Sequence, residues 1–434
     1  MKKLIPQWIK NIYHLAMAVL ANLIYGFPSR KIKVIGVTGT NGKTTTVQII
    51  AKILEEAGKK VAVASTINFK LGKKEWVNKT KFTTLSPFSV QKFIRQAVEE
   101  KCDYLVLETS SHSLDQHRVW GVDYKTAVIT NVTREHLDYH QTMEKYRQSK
   151  MKLFEIVSKY ENGTAIVNLG MERPEEFLGC KAKNIFGYSL KFPNYKIQIP
   201  NKSQFPNSNF QIIAAENIEL GIDHSKFRIK NLEFILHIPG EFNIENALAG
   251  IAVGISEGID METIRTAVRR ITGVSGRLEN VPNGKGLNII VDYAVTPDSL
   301  EKLYAYISRL KKNDMKIISV FGSCGERDRG KRPIMGEIVS RYADYAIVTN
   351  EDPYNEDPWQ IINEVASGIK NKTEGESFWK IFDRKEAIEK ALALAKTGDI
   401  VVVTGKGAEE IMQVGKQKIP WNDKKVILQV LQEI

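Results

Sequence analysis

Cysteine is scarce in this chain and never clustered. Among 434 residues the only thiols are Cys102, Cys180 and Cys324. Their wide separation, with no CxxC spacing, argues against a disulfide framework or a zinc knuckle and fits a reducing compartment. A long apolar run is missing too. Leu15–Ile24 is mostly apolar and follows Lys2 and Lys3, as in a signal peptide, but Asn22 interrupts it and Lys10, Asn11 and His14 break it upstream. It reaches about half of the ~20 apolar residues that a spanning helix needs. An amphipathic helix packed on the body of the protein is expected there, with peripheral membrane contact as a second option. Internal repeats, low-complexity segments, basic blocks and aromatic-interleaved stripes are absent as well, so nucleic acid is not expected as a partner. The net charge of +12 is then best matched to anionic small substrates.

What is present is an ordinary globular composition, 43% hydrophobic and 26% charged, long enough for two or three domains. Buried-strand patterns at Lys33–Val37, Lys60–Ala64, Tyr104–Leu107 and Ala127–Thr130 alternate with helical ones, at Val47–Leu54 and from Pro87 onward. That alternation predicts a mostly parallel sheet covered on both faces. From about 161 to 238 the pattern turns irregular and strand-like, punctuated by Pro193, Pro200 and Pro206, and is expected to be an antiparallel insertion or flap. An alanine-rich helix follows at Ile244–Ser256, and Gly273 and Gly276 mark a boundary. Strands at Leu287–Val291, Lys316–Val320, Tyr345–Val348 and Ile400–Val403 then predict a second, Rossmann-like α/β domain. The expected division is an N-terminal helical segment 1–31, a central domain 32–272 and a C-terminal domain 273–434.

The chemistry begins at Gly39-Thr40-Asn41-Gly42-Lys43-Thr44-Thr45, set between a strand and a helix. Glycines let backbone N–H groups close around phosphate oxygens, and the helix adds its positive end. Lys43 is placed to reach terminal phosphates of ATP and Thr44 to coordinate Mg2+. The spacing departs from GxxxxGK[ST], because Val37 holds the first glycine position and Gly36 lies one residue earlier. Glu108 and His136 follow two further strands. Ligands of an open α/β sheet gather outside the carboxyl ends of its strands, so loop, Glu108 and His136 are expected to converge. Taken singly, each has a plainer explanation, a surface glutamate or a helix-capping histidine.

Gly36–Thr46, Glu108-Thr109-Ser110-Ser111-His112 with Gln116 and Arg118, and Thr130-Asn131 with His136-Leu137-Asp138 resemble successive signatures of the Mur ligases. Asn243 and Asn246, Gly276-Arg277-Leu278-Glu279, Asp292-Tyr293-Ala294 with Thr296-Pro297-Asp298, and Gly325 with Arg327–Pro333 continue the match in family order to about residue 411. The nearest type is the tripeptide synthetase of peptidoglycan precursor synthesis. The resemblance implies a cytoplasmic, monomeric ATP-dependent amide ligase: a carboxylate of a UDP-linked muramoyl peptide attacks the γ-phosphate, and a free amino acid's amine then displaces phosphate from the acyl phosphate. It also implies catalytic roles for Lys43, Lys150 and His136. Lys150, in Tyr146-Arg147-Gln148-Ser149-Lys150, would be carbamylated and join Thr44, Glu108 and His136 as a magnesium ligand. Asn246, Arg277 and Asp292 would contact the nucleotide as the C-terminal domain closes. Thr83, Thr84, Ser110, Gln116 and Arg118 would hold the muramoyl dipeptide, and Asp352, Gly405 and Glu409 the incoming amino acid.

Three departures qualify the match. Only about thirty residues precede the first strand, too few for the family's uridine-binding domain, so the expectation is either that the uridine end is held differently or that the acceptor is not the usual UDP-sugar peptide. The family's Asp-Asn-Pro-Arg selection motif for diaminopimelate reads Glu351-Asp352-Pro353-Tyr354, which favours a cationic or neutral side chain such as lysine unless Arg327, Arg329 or a loop residue replaces the lost arginine. Val295 stands for a usual histidine and Glu135 for a usual aspartate. Two other readings are an amide ligase of folylpolyglutamate or cyanophycin type, and a catalytically weak nucleotide-binding scaffold of cell-wall synthesis.

Overall fold

The computed structural model describes residues 6–80, 83–191, 209–221, 223–312 and 314–433. Its contacts divide the chain into two compact units. The first comprises residues up to Thr133 with Thr142–Thr272, and the second comprises Arg134–Gln141 with the chain from Gly273 onward.

In the first unit a nine-stranded sheet is built from β1 (Lys33–Thr38), β2 (Val61–Ala64), β3 (Asn68–Leu71), β4 (Lys74–Val77), β5 (Tyr104–Glu108), β6 (Tyr124–Ile129), β7 (Thr164–Asn168), β8 (Asn184–Ser189) and β9 (Asn209–Ala214). The order is β4-β3-β2-β5-β1-β6-β7-β8-β9. Every pair from β2 to β9 is parallel; only the β2–β3 and β3–β4 pairs are antiparallel. Val34, Ile35 and Val37 of β1 are fully buried, as a central strand covered on both faces requires, each such side chain contributing about 1.5–3 kcal/mol. Gly36 lies between them because a Cβ there would stand 2.7 Å from the Tyr124 ring. Its absence of side chain serves packing, not phosphate.

Helix α1 (Gln7–Tyr25) ends at Gly26, φ +66°. Helix α2 (Lys43–Glu56) leads from β1, and α3 (Pro87–Glu99) starts with Pro87 in its first turn and Ser86 capping Ser89 N–H. The helices Met143–Val157 and Glu241–Ser256 complete the faces that matter below. The span 161–238 differs from the expected antiparallel insertion. Its β7, β8 and β9 extend the parallel sheet, and antiparallel pairing is confined to the small sheet β10 (Glu216–Leu220), β11 (Ser225–Ile229) and β12 (Leu232–Leu236). Short strands separated by turns read alike in either pairing, and sequence periodicity does not report direction. Pro193, Pro200 and Pro206 lie outside the described residues.

The second unit carries a six-stranded sheet, β13 (Glu279–Asn280), β14 (Asn288–Asp292), β15 (Ile317–Phe321), β16 (Tyr345–Thr349), β17 (Phe378–Ile381) and β18 (Ile400–Thr404), in the order β13-β14-β18-β15-β16-β17. All pairs are parallel except β13 with β14, which gives the expected Rossmann-like character. A hairpin of β19 (Ile411–Val414) and β20 (Gln417–Pro420) follows. Arg384 and Asp423, both fully buried, form a bidentate pair at 2.8 Å. The same guanidinium donates to the carbonyls of Thr404 (2.7 Å) and Asn350 (3.3 Å). It thereby ties the carboxyl ends of β18 and β16, where candidate site residues sit.

Candidate active site

Parallel pairing brings the carboxyl ends of β1, β2, β5 and β6 to one edge of the first sheet, and the loops there hold most of the predicted residues. Gly39 (φ +149°) and Gly42 (φ +81°) make the turn that starts α2. A Cβ at Gly39 would lie 1.8 Å from Thr130 Oγ1, and one at Gly42 2.3 Å from Asn246 Oδ1. The loop is pinned from β6: Asn131 Oδ1 accepts from Asn41 N–H (2.9 Å), and the Thr130 hydroxyl donates to the Asn41 carbonyl (2.6 Å). Thr40 meets the Tyr146 hydroxyl at 3.1 Å. Thr45 is buried in the first turn of α2. Asn246, from the helix Glu241–Ser256, accepts from the Thr46 hydroxyl at 3.2 Å and donates to Asn243 at 3.2 Å.

Three ionisable side chains meet this loop. Lys43 donates to the carbonyls of Gly39 (3.1 Å) and Thr40 (2.8 Å). Glu108, buried at the end of β5, accepts from the Thr44 hydroxyl (3.1 Å), from Thr66 N–H (2.7 Å) and from the Thr66 hydroxyl (2.9 Å). Lys150 is 1% exposed and donates to the Gly39 carbonyl at 2.8 Å. Its Nζ lies 4.2 Å from the centroid of the Tyr146 ring. Burial, and after it the charge of Lys43, holds the Lys150 amine well below the usual lysine range. The site therefore contains two lysines of opposite character: Lys43 is part-exposed, Lys150 fully enclosed.

Beside Glu108, the Thr66 hydroxyl also reaches Thr83 (3.2 Å). Thr84 donates to the Glu108 carbonyl (3.1 Å) and to Ser110 Oγ (3.2 Å), and its own carbonyl accepts from Arg118 (2.8 Å). Ser110 caps the helix Ser111–Asp115, which Gln116 closes. Thr66 escaped the sequence reading. It lies just past the end of β2, at the same sheet edge as the other ligands, and that position was its only signal.

His136 lies in the segment Arg134–Gln141, which groups with the second unit. It precedes the helix Leu137–His140 at φ +57°. Beside it Glu135 accepts from the buried Lys331 ammonium at 3.0 Å, and that ammonium also donates to the Val295 carbonyl at 2.9 Å. Both unusual residues, Glu135 and Val295, thus meet at Lys331, and the Val295 contact runs through the backbone, indifferent to its side chain. Burial pushes the Glu135 carboxyl up, against the pull of Lys331.

Within the second unit, Asp292 ends β14 and accepts from Leu278 N–H at 2.7 Å, while Arg277 stacks on the Tyr293 ring at 4.5 Å. Burial raises the Asp292 carboxyl, opposed chiefly by Arg277. Gly405 (φ +111°) donates its N–H to the Asp292 carbonyl at 3.1 Å, and a Cβ there would strike Glu351 Oε2 at 2.5 Å. Lys406, fully buried, donates to both Asp352 oxygens (3.0 and 3.1 Å) and to Glu409. Arg327 lies over the Tyr354 ring at 5.3 Å. Among the described residues no group of three or more His, Cys, Asp or Glu forms a metal cage. Magnesium characteristically takes one or two carboxylates plus phosphate oxygens and water, so Glu108 beside a phosphate loop suits it without such a cage.

Two regions of the chain match known domain families: residues 37–254 the Mur ligase middle domain, and residues 276–407 the Mur ligase glutamate ligase domain. The chain is 40% identical to a UDP-N-acetylmuramoyl-L-alanyl-D-glutamate--2,6-diaminopimelate ligase of Syntrophomonas wolfei, over 96% of this chain and 81% of that one. It is 36% identical to a UDP-N-acetylmuramyl-tripeptide synthetase of Roseiflexus, over 94% and 80%. A solved diaminopimelate ligase structure superposes with a TM-score of 0.59 at 29% identity, covering 93% of this chain and 78% of that chain. A folylpolyglutamate synthase from Mycobacterium tuberculosis reaches 0.68 at 15% identity over 90% of this chain and 91% of its own, a likeness of fold.

Proposed function

The chain belongs to the Mur ligase family, and we propose that it joins an amino acid to a UDP-N-acetylmuramoyl-dipeptide-like acceptor at the expense of ATP, in peptidoglycan precursor synthesis. One observation carries the catalytic part of this reading: Lys150 is enclosed, held toward its neutral form, and bonded to a carbonyl of the phosphate loop.

In the first step an acceptor carboxylate attacks the γ-phosphorus and ADP leaves, giving an acyl phosphate. Two anions must approach, so positive charge has to be concentrated near the loop. Lys43 supplies one charge, exchanging its loop carbonyls for phosphate oxygens. Magnesium, when bound, supplies the rest by charge neutralisation, with Thr44, Glu108, His136 and a carbamate on Lys150 as the proposed ligands. A neutral amine has the lone pair to attack CO2; the carbamate forms with loss of one proton and presents anionic oxygens, which a hard cation prefers. Thr66 orients Glu108. In the second step the amino acid's amine attacks the acyl carbon, phosphate leaves and a proton is lost.

Asn246, Arg277 and Asp292 are proposed for the nucleotide, and Thr83, Thr84, Ser110, Gln116 and Arg118 for the acceptor, where a guanidinium suits carboxylate or phosphate. Asp352 and Glu409 both meet the buried Lys406 side chain. Two carboxylates gathered there support a role, with Gly405, in receiving the amino acid's ammonium. ATP and UDP-linked peptides are cytoplasmic substrates, and we place the enzyme there. The 15% identity of the folylpolyglutamate likeness, against 40% for a muramoyl-peptide ligase, favours the muramoyl acceptor.

The test is phosphate release by purified protein given ATP, UDP-N-acetylmuramoyl-dipeptide and a panel including lysine and diaminopimelate. Release that requires all three substrates is expected. Turnover indifferent to the amino acid, or none with any of them, overturns the proposal.

A further inference from the structure

Helix α1 is amphipathic in the inverse sense. Its polar side chains face the protein: Asn22 is fully buried and donates to the carbonyls of Ala18 (2.9 Å) and Trp120 (2.8 Å), and Asn11 donates to the Asp115 carbonyl (3.3 Å). Ala18 and Ala21, 1% and 0% exposed, make the close contact. Most of the large apolar side chains point away, while Leu15, Met17, Val19 and Tyr25 are half-buried. Trp8, Ile12, Tyr13, Leu20, Leu23 and Ile24 are all exposed, Trp8 at 63% and Leu23 at 62%. At 3.6 residues per turn these six fall within one arc of roughly 160°, so the exposure is a continuous stripe and not scattered surface residues.

The charges flanking the helix in sequence have one sign. No Asp or Glu occurs before Glu55, whereas Lys2, Lys3, Lys10, Arg30 and Lys31 do. Asp115, whose carbonyl meets Asn11, pairs with Lys152 (2.9 Å), and Asp123 accepts from the Tyr160 hydroxyl (2.5 Å) and faces Arg30 at 3.9 Å. No helix among the described residues is long and apolar enough to cross a membrane. A helix that cannot span, with an outward apolar stripe, interfacial Trp8 and Tyr13, and basic flanks, has the chemistry of one lying in the plane of a bilayer surface.

We infer that α1 docks this protein on an anionic lipid surface, its apolar stripe entering the acyl boundary while Lys10, Arg30 and Lys31 meet lipid phosphates. A second copy fits less well. A helix face ~28 Å long and about 10 Å wide offers roughly 300 Å², against about 800 Å² per partner in a stable interface. Two such basic flanks also repel one another.

The test is cosedimentation of the full chain with phosphatidylglycerol vesicles and with phosphatidylcholine vesicles. Binding to the anionic vesicles that weakens with salt is expected. The triple variant Ile12→Asn/Leu20→Asn/Leu23→Asn should bind at least about tenfold more weakly, and Lys10→Gln/Lys31→Gln should lose the preference for anionic lipid. Both variants keep the wild-type circular dichroism and vesicle-free ligase rate, since Ile12, Leu20, Leu23 and Lys31 are exposed and Lys10 is half-exposed. Absence of vesicle binding, equal binding by the triple variant, or dimerisation abolished by the triple variant in the absence of vesicle binding overturns the inference.

Discussion

Replacing Lys150 separates its chemical role from a structural one. In the fold its amine is neutral over a range of pH in which the unfolded chain's lysine is charged. Unfolding therefore takes up a proton between the lowered folded value and the ordinary 10.5. Stability is greatest above that window and is lost as pH falls through it toward the folded value. One proton corresponds to about 1.4 kcal/mol per pH unit. At any single pH, Lys150→Met has opposing effects: it removes the cost of enclosing an amine but takes from the Gly39 carbonyl one of its two lysine donors, worth about 0.5–1.5 kcal/mol. The slope has no such ambiguity. In CO2-depleted buffer, urea unfolding at several alkaline pH values should show wild type gaining on Lys150→Met by up to about 1.4 kcal/mol per unit. Parallel curves would mean that Lys150 is charged in the fold, and the carbamate route would fail at its first step. The kinetic arm is phosphate release under the three-substrate conditions. Losing one preorganised electrostatic group costs roughly 2.7–4 kcal/mol, or 10²–10³-fold in kcat. Lys150→Ala should fall at least that far, Lys150→Arg should not recover, and a short carboxylic acid should partly rescue the alanine variant. Normal turnover in either variant refutes the role.

Thr66→Val removes a hydroxyl that donates to Glu108 at 2.9 Å. A hydrogen bond to a charged group is worth about 1.5–3 kcal/mol, so the magnesium concentration for half-maximal rate should rise about tenfold or more, read by titration at saturating ATP. Gly36→Ala would force a Cβ to within 2.7 Å of the Tyr124 ring; a loss of about 1–3 kcal/mol should lower the thermal midpoint by several degrees, and an unchanged midpoint would show that the β1–β6 packing yields easily. Arg384→Met leaves Asp423 buried without its partner and should cost about 3–5 kcal/mol by urea unfolding, most of it regained when Asp423→Leu is added.

The sheet edges were legible because buried parallel strands read as short apolar runs, and the residue just past each run is where such a fold presents ligands. Glu108 and Asn131 could be placed by that rule alone. Strand direction beyond residue 161 could not, since pairing of β7, β8 and β9 depends on partners distant in sequence. The orientation of α1 was also hidden: amphipathic spacing identifies an apolar stripe but not which face the protein covers, and here small residues and asparagines make the contact.

Lys150 shows where the residues said more than their types suggest. Taken alone, a lysine in the helix Met143–Val157 reads as a solvated position, and only the likeness of Tyr146–Lys150 to a family segment singled it out. Yet Tyr146, Lys150, Leu153, Phe154 and Val157 are spaced by four, three, one and three residues, which puts all five on one helical face. Each of them is buried. A lysine inside an apolar stripe must snorkel to water, find an anion, or give up its proton. Snorkelling is excluded by its 1% exposure, and its hydrogen bond runs to a carbonyl, which carries no full charge. The third course is left, and a deprotonated amine beside a phosphate loop is the one form of lysine that can take up CO2.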